Sequence, residues 1–129
     1  MNKFYRKYPS VNYLREKAKN RIPKFAFEYL DGGCNNEQSL FKNTNDIRNI
    51  EIKPKYIVDK KNVSIKTKLF GVEYDAPFGI APIGLQGLIW PRSPEILAKA
   101  AFDNNIPFIL STVSTSNIEK ISEITEGKA

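Results

Sequence analysis

The sequence predicts an α/β protein in which a buried parallel strand is followed by a helix, twice in succession. Residues 78–81 and 107–110 are short runs of small or apolar side chains, as is typical of strands buried on both faces. Ser93-Pro94-Glu95 follows the first run and Ser116-Asn117-Ile118-Glu119 follows the second. The first pattern is typical of a helix start with Ser93 as the cap and Pro94 as the first helical residue, and the second is a capping box with Ser116 as its cap.

The apolar spacing of the two predicted helices defines the faces that should cover the strands. The first helix carries its inner face on Ile96, Leu97, Ala100 and Ala101 and ends at Asn104-Asn105. The second helix ends near Gly127, and its predicted inner face consists of Ile118, Ile121 and Ile124.

The part of the chain before residue 76 has a different pattern, with short helices and then alternating strands. Ser10 is a candidate cap for a helix over 11–20, and Pro23 is a candidate first residue of a second helix, which stops at Gly32-Gly33. A third helix is expected over about 36–47. Residues 49–57 and 63–70 alternate apolar and charged side chains, which predicts a small pair of half-exposed strands. We therefore divide the chain into a lead-in and strand pair (1–75) and two βα units (76–129).

Composition excludes several classes of site. The chain has 129 residues, one cysteine and no histidine, so it lacks a disulfide framework and the commonest general base and metal ligand. No metal site is expected, and a reducing cytoplasm is the default location. Residues 1–66 hold 15 of the 20 Lys and Arg and carry a net charge of +8, but these side chains are scattered. Scattered charge favours a solvated surface over a nucleic-acid site.

The residues that follow the two strands are unusual for exposed loops. The loop over 85–90 is too apolar to lie bare in water, and five of the six residues over 111–116 carry hydroxyls. Ligands bind at the carboxyl ends of parallel strands. An apolar loop beside a cluster of hydroxyl groups predicts a flat, partly apolar ligand with polar edges.

Two buried parallel strands leave an unpaired edge and an uncovered face. The sequence therefore predicts either an amino-terminal portion of a larger barrel or a sheet completed by another chain.

Three blocks, PKFAFEYLDGG, PFGIAPIGLQGL and PFILSTVSTSNIEKI, resemble the FMN-dependent 2-hydroxy-acid dehydrogenase/oxidase family. This family includes glycolate oxidase, flavin L-lactate dehydrogenase and mandelate dehydrogenase. The resemblance implies the N-terminal part of a (β/α)8 TIM barrel, namely the helical lead-in, a small strand pair and the first two βα units. It also implies FMN as cofactor, with oxidation of a small L-2-hydroxy acid to the 2-oxo acid by hydride transfer to flavin N5.

The same resemblance implies the cofactor contacts. Pro82, Ile83 and Gly84 match the turn after the first strand, whose main-chain groups face the flavin ring in the family. Gly84 suits such a place, because a backbone N–H approaches a planar ring only where no side chain intervenes; a tight turn is the other reason for a glycine there. Ser111 matches the hydroxyl that bonds the flavin, and a local bond to the backbone is its alternative role.

Two residues match substrate positions of the family. Tyr29 matches the lead-in tyrosine whose phenol contacts the substrate carboxylate, although its spacing alone favours a core aromatic. Val113 matches a position that shapes the substrate pocket. The histidine base, the arginines and the lysine of the family lie beyond Ala129 by this resemblance. Cys34 departs from the family pattern and is expected to be a passive buried thiol.

Other functions remain open on these residues. One is a non-catalytic piece, for example half of a split barrel; another is a different FMN barrel, such as the flavin isopentenyl diphosphate isomerase type. A nucleic-acid or anionic-surface binder leaves the apolar 85–90 loop unexplained. We expect a cytoplasmic protein, with peripheral contact to the inner membrane face or to an electron acceptor left open, and a homo-oligomer at full length. The chain alone is expected neither to turn over substrate nor to hold FMN tightly.

Overall fold

A computed structural model describes residues 3–57 and 62–129. The chain divides into two compact units, unit 1 over Met1–Asp59 and unit 2 over Lys60–Ala129. Within the described residues, no helix combines the length and apolar character needed to cross a membrane.

Unit 1 is helical. Its helices are α1 (Lys3–Lys7), α2 (Val11–Lys19), α3 (Lys24–Asp31) and α4 (Gln38–Arg48). Ser10 occupies the N-cap of α2 and Gly32 the C-cap of α3, so the three predicted helices are confirmed to within two residues. Pro23 is the N-cap of α3 and not its first helical residue, and α1 has no counterpart in the prediction.

Polar contacts tie α2 to α3. The guanidinium of Arg15 donates from Nε to Oδ1 of Asp31 at 2.5 Å and from Nη2 to Oδ2 at 2.7 Å. This two-point bond lowers the pKa of the Asp31 carboxyl below its ordinary value of 3.8, first through the hydrogen bond and then through the charge of Arg15. In the described helices of unit 1 only Ala26 and Phe27 are buried, and the Arg15–Asp31 bond joins α2 to the last residue of α3.

The predicted strand over 49–57 is wrong, because none of these residues forms a strand. Alternation makes a strand only where a neighbour supplies hydrogen bonds, and Pro54 removes one donor from this segment. In the second predicted segment, 63–70, only Thr67–Leu69 is a strand (β1), and it pairs with β2 (Val72–Tyr74). The pair is an antiparallel hairpin whose two turn residues, Phe70 and Gly71, both have positive φ. That conformation matches a type I′ turn, which suits the twist of a two-residue hairpin.

The two apolar runs of unit 2 lie side by side and parallel, as predicted. Ile80 forms a parallel bridge with Phe108. Its N–H donates to the Pro107 carbonyl at 2.8 Å and its carbonyl accepts from the Ile109 N–H at 3.1 Å. A Cβ on Gly79 would lie only 2.5 Å from the Pro107 carbonyl oxygen, so the approach of the two backbones requires glycine.

A short helix, α5 (Gln86–Ile89), follows the first segment, and helices α6 (Ser93–Asp103) and α7 (Ile118–Thr125) pack on the parallel contact. The core consists of Ala98, Ala101, Phe108 and Ile121, and both alanines are 0% exposed. Five partly buried side chains surround it: Ile80, Leu97, Ile106, Leu110 and Ile124.

The predicted inner faces are correct in part. Ala101, Leu97, Ile121 and Ile124 point inward, but Ile96, Ala100 and Ile118 are exposed. Ala98 is fully buried where Ala100 was predicted, so the buried stripe of α6 runs through Leu97, Ala98 and Ala101.

The prediction that residues 78–81 and 107–110 are buried on both faces is also wrong for several side chains. Phe78, Ala81 and Ile109 are exposed, since α6 and α7 cover one side of these segments. The pairing is a single bridge and not a ladder.

Two helix starts and one thiol differ from prediction. Arg92, in the left-handed region at φ 59°, is the N-cap of α6, where Ser93 was expected. Asn117 caps α7 by accepting the Lys120 N–H at 3.0 Å, so Ser116 is not the cap. An Asx side chain one residue closer to the helix wins this role. Cys34 is exposed and not buried.

The approach of Gly79 to Pro107 predicts that Gly79→Ala separates the two parallel segments. We expect a loss of about 1–3 kcal/mol, as for other overpacked sites, and a Tm at least about 4 °C lower. Thermal unfolding followed by the fluorescence of Trp90, the single tryptophan, measures it. Ala81→Val is the control, since it adds carbon at an exposed site of the same segment and should change stability by less than about 0.5 kcal/mol. Equal stability of Gly79→Ala and the parent would contradict the close contact.

The Arg15–Asp31 pair predicts a pH-dependent link between α2 and α3. Because the folded pKa of Asp31 is lowered, its stabilisation is complete above pH 3.8 and is lost as the pH falls through the folded pKa. Asp31→Asn should therefore weaken the hydrogen-exchange protection of α3 at pH 6, and its difference from the parent should shrink at low pH. Glu28→Gln, which removes an exposed pair with Lys24 at 3.6 Å, is the matched control and should change little. A pH-independent difference at Asp31 would argue against the pair.

Candidate functional site

The apolar loop after the first parallel segment contains a short helix that the sequence did not predict. This helix, α5 (Gln86–Ile89), has Leu85 as its N-cap, in the left-handed region at φ 50°. Gln86 and Ile89 are buried, while Leu85, Leu88 and Trp90 are exposed. A non-glycine residue at positive φ costs free energy that surrounding contacts must offset.

A backbone hydrogen bond joins this loop to the end of the second segment. The Leu85 N–H donates to the Val113 carbonyl at 3.1 Å. Leu85 directly follows Ile83 and Gly84, and Val113 lies two residues after Ser111, so the two predicted cofactor positions belong to one surface of unit 2. Ile83, Gly84 and Ser111 are half-buried, whereas Pro82 and Val113 are exposed.

Gly84 is not among the described residues with positive φ. A left-handed backbone conformation is therefore not the reason for a glycine at this position.

The hydroxyl cluster is partly occupied by local bonds. Ser111 Oγ accepts the Val113 N–H at 3.3 Å, and Ser114 Oγ accepts the Ser116 N–H at 3.1 Å. The local role considered for Ser111 is thus present. A hydroxyl carries one donor besides its acceptor lone pairs, so the Ser111 O–H can still donate to a ligand while Oγ accepts from Val113.

The carboxylate of Glu95 lies beside Ser116 of the second loop. Glu95, half-buried in the first turn of α6, has its pKa lowered by a hydrogen bond from the Ser116 hydroxyl, then by its own backbone N–H; burial opposes both. The charges of Arg92 and Lys120 act in the same direction as the hydrogen bonds. Glu95 Oε2 is buried and has no hydrogen-bond partner among the described residues. Ser116 therefore lies beside the first turn of α6, and Asn117 caps α7.

Tyr29, the predicted substrate contact, lies on α3 of unit 1. It is 57% exposed, so the core role that its spacing favoured is not what the structure gives it. Ala26 and Phe27 hold the buried side of α3, and the Arg15 pair holds its last residue, Asp31.

Sequence reasoning missed two residues of the loop surface, Gly87 and Thr115. The Gly87 N–H donates to Thr115 Oγ1 at 3.1 Å across 28 residues of sequence. The sequence shows a glycine in an apolar loop and a threonine in a hydroxyl-rich loop. Neither residue type indicates which residue the other contacts.

Taken together, the surface offers exposed apolar side chains, main-chain groups of residues 83–84 and an available hydroxyl donor at Ser111. Apolar side chains suit the faces of a flat aromatic ring, and the hydroxyl suits an acceptor at its edge. These residues fit a flavin ring.

Comparison with known proteins identifies the family. The model of the FMN-dependent dehydrogenase family matches residues 18–129. The L-lactate dehydrogenase of Caulobacter sp. (strain K31) is 38% identical over 113 residues, which is 88% of this chain and 30% of that protein. The L-lactate dehydrogenase of Ectopseudomonas mendocina (strain ymp) is 39% identical over 113 residues, again 88% of this chain and 30% of its own length.

Solved structures agree with these sequence matches. An oxidized active mutant of (S)-mandelate dehydrogenase superposes with a TM-score of 0.82 at 35% identity, covering 91% of this chain and 33% of that one. Mandelate oxidase superposes with a TM-score of 0.84 at 28% identity, covering 91% and 34%. The chain thus has part of the TIM-barrel fold of these proteins and spans about 30% of the length of the curated relatives it matches.

With a family model that covers residues 18–129 and relatives above 35% identity, this chain belongs to the FMN-dependent dehydrogenase family.

Proposed function

We propose that this chain forms the N-terminal wall of an FMN site in an enzyme that oxidises a small L-2-hydroxy acid to the 2-oxo acid. The observation that carries the proposal is the Leu85–Val113 hydrogen bond, at 3.1 Å, which brings the turn over 82–84 beside the end of the second segment. FMN, when bound, supplies the acceptor for the substrate hydride.

The residues of this chain would hold the cofactor in three ways. The main chain of Ile83 and Gly84 lies against the ring, Pro82 orients that turn, and the Ser111 hydroxyl donates to an acceptor of the flavin. Leu85, Leu88 and Trp90, which are exposed, would exclude water from the ring.

Two residues would act on the substrate. The phenol of Tyr29 binds the carboxylate of the 2-hydroxy acid, and its exposure leaves the O–H available. Val113 borders the pocket beside Ser111 and influences which side chain of the acid is accepted. Lactate is the substrate class that the names of the relatives favour, and mandelate is the larger alternative.

A second candidate is a non-catalytic part of a two-chain barrel. An apolar groove of about 500 Å³ in unit 2 suits further polypeptide, which in this candidate comes from a second chain. Side chains that line it include Leu69, Phe70, Ile109, Leu110, Ile118 and Ile121.

We also propose a cytoplasmic, homo-oligomeric enzyme when the barrel is complete.

A fusion protein tests these candidates. Residues 18–129 replace the matching segment of the Caulobacter sp. L-lactate dehydrogenase, and bound FMN and L-lactate oxidation are measured. The proposal expects a yellow, active fusion, whereas the 129-residue chain alone should have neither property. A folded fusion without FMN would overturn the proposal. Activity on mixing the chain with the separate remainder would favour the two-chain candidate.

In this fusion, Tyr29→Phe should raise KM for L-lactate about 10- to 100-fold and leave the FMN content unchanged, since a hydrogen bond to a charged carboxylate contributes about 1.5–3 kcal/mol. Tyr56→Phe is the control: Tyr56 is 82% exposed and lies within residues 18–129, but outside α3. An unchanged KM for Tyr29→Phe, or an equal effect of both variants, would remove Tyr29 from the substrate site.

Ser111→Ala in the same fusion should weaken FMN binding about 3- to 10-fold, which is the effect of losing one neutral hydrogen bond. A flavin titration followed by quenching of FMN fluorescence measures it. Thr112→Val, at the exposed neighbouring hydroxyl, should leave the affinity unchanged. If both variants bind FMN like the parent, Ser111 has only its local bond to Val113.

A further inference from the structure

Helix α5 lacks the cap that such a short helix needs. It contains four residues, and isolated helices of this length do not persist in water. Its N-cap residue, Leu85, has no side-chain oxygen to accept an N–H of the first turn, and its φ is 50°. Something outside the helix must stabilise this conformation.

Thr115 supplies the missing acceptor. An N-cap side chain normally accepts the N–H of the second or third helical residue. Gly87 is the second residue of α5, and its N–H donates to Thr115 Oγ1 at 3.1 Å. We propose that Thr115 is a positioning residue that caps α5 from the second loop and so holds the turn over 83–84 in place for the cofactor.

The site is shaped for this contact. A Cβ on residue 87 would lie 2.2 Å from Thr115 Oγ1 and 2.9 Å from Thr115 Cβ, so only glycine allows the approach. Glycine inside a helix costs about 1 kcal/mol relative to alanine, and the bond to Thr115 gives a reason for it here.

A second bond makes the contact a clamp. The Leu85 N–H donates to the Val113 carbonyl at 3.1 Å, so alternate residues of the second loop bind alternate residues of the first. With the Leu85–Val113 bond alone, the loop over 85–90 would be able to rotate about a single point. The Gly87–Thr115 bond adds a second point of attachment and so restricts that rotation. The direction of the Ile83–Gly84 peptide follows, because it enters α5 through Leu85.

The consequence for FMN depends on the function proposed above, but the cap itself does not. The test therefore has two readouts. Hydrogen exchange of the Gly87 amide, measured by NMR on the 129-residue chain, reports the cap. FMN affinity of the fusion protein reports the positioning.

Thr115→Val replaces Oγ1 by a methyl group of similar size and removes the acceptor. We expect exchange at the Gly87 amide to rise about 3- to 10-fold, as for loss of one neutral hydrogen bond, with a change in Trp90 fluorescence at the end of α5. The Ile121 amide in the core of unit 2 should keep its exchange rate, which shows that the variant is folded. Thr115→Ser keeps the oxygen and should restore both signals, while Thr112→Val should behave as the parent.

In the fusion, Thr115→Val should weaken FMN binding about 3- to 10-fold and Thr115→Ser should not. Unchanged Gly87 exchange in Thr115→Val overturns the cap. Faster exchange with unchanged FMN affinity overturns the positioning role. A parent fusion without FMN refutes the proposed function, and the Gly87 exchange alone then decides the cap.

Discussion

The candidate site depends on the close parallel approach of residues 79–80 to residues 107–109. Ile80 uses both its N–H and its carbonyl in this contact, at 2.8 Å and 3.1 Å, and Gly79 makes room for the Pro107 carbonyl. Because the two segments run in the same direction, both end at the same edge. The turn over 82–84 and the hydroxyl cluster over 111–116 become neighbours for that reason, and hydrogen bonds between the two loops then hold them together.

The two loops then bind each other through backbone and hydroxyl groups. This arrangement uses a strained residue, Leu85, a glycine that cannot be replaced without a clash, and hydroxyls that accept from nearby N–H groups. A hydroxyl that accepts a backbone bond is held in one orientation and still has a proton to donate. Local bonding and ligand binding are therefore compatible roles for Ser111, and the first can prepare the second.

Unit 1 is stabilised in another way. Its helices expose most of their apolar side chains, and the clearest link between two of them is the two-point bond of Arg15 to Asp31. Tyr29 lies in the last turns of α3, two residues before Asp31, so a polar contact at the helix end steadies the residue proposed to bind substrate. Such a link is sensitive to pH and to salt, whereas the core around Ala98 and Ile121 is sensitive to side-chain volume.

The sequence by itself determined helices α2, α3 and α4 of unit 1, the parallel βα order of unit 2 and the family, because helix-end residues, apolar spacing and the three motif blocks are local signals. The strand that the alternation over 49–57 predicts does not form, because the segment lacks a hydrogen-bonding neighbour. The cap of α7 is Asn117 and not the predicted Ser116. Only the tertiary structure decided that Thr115 bonds Gly87. These residues are 28 apart, and they meet because of the parallel packing of the two segments and not because of any neighbour in the chain.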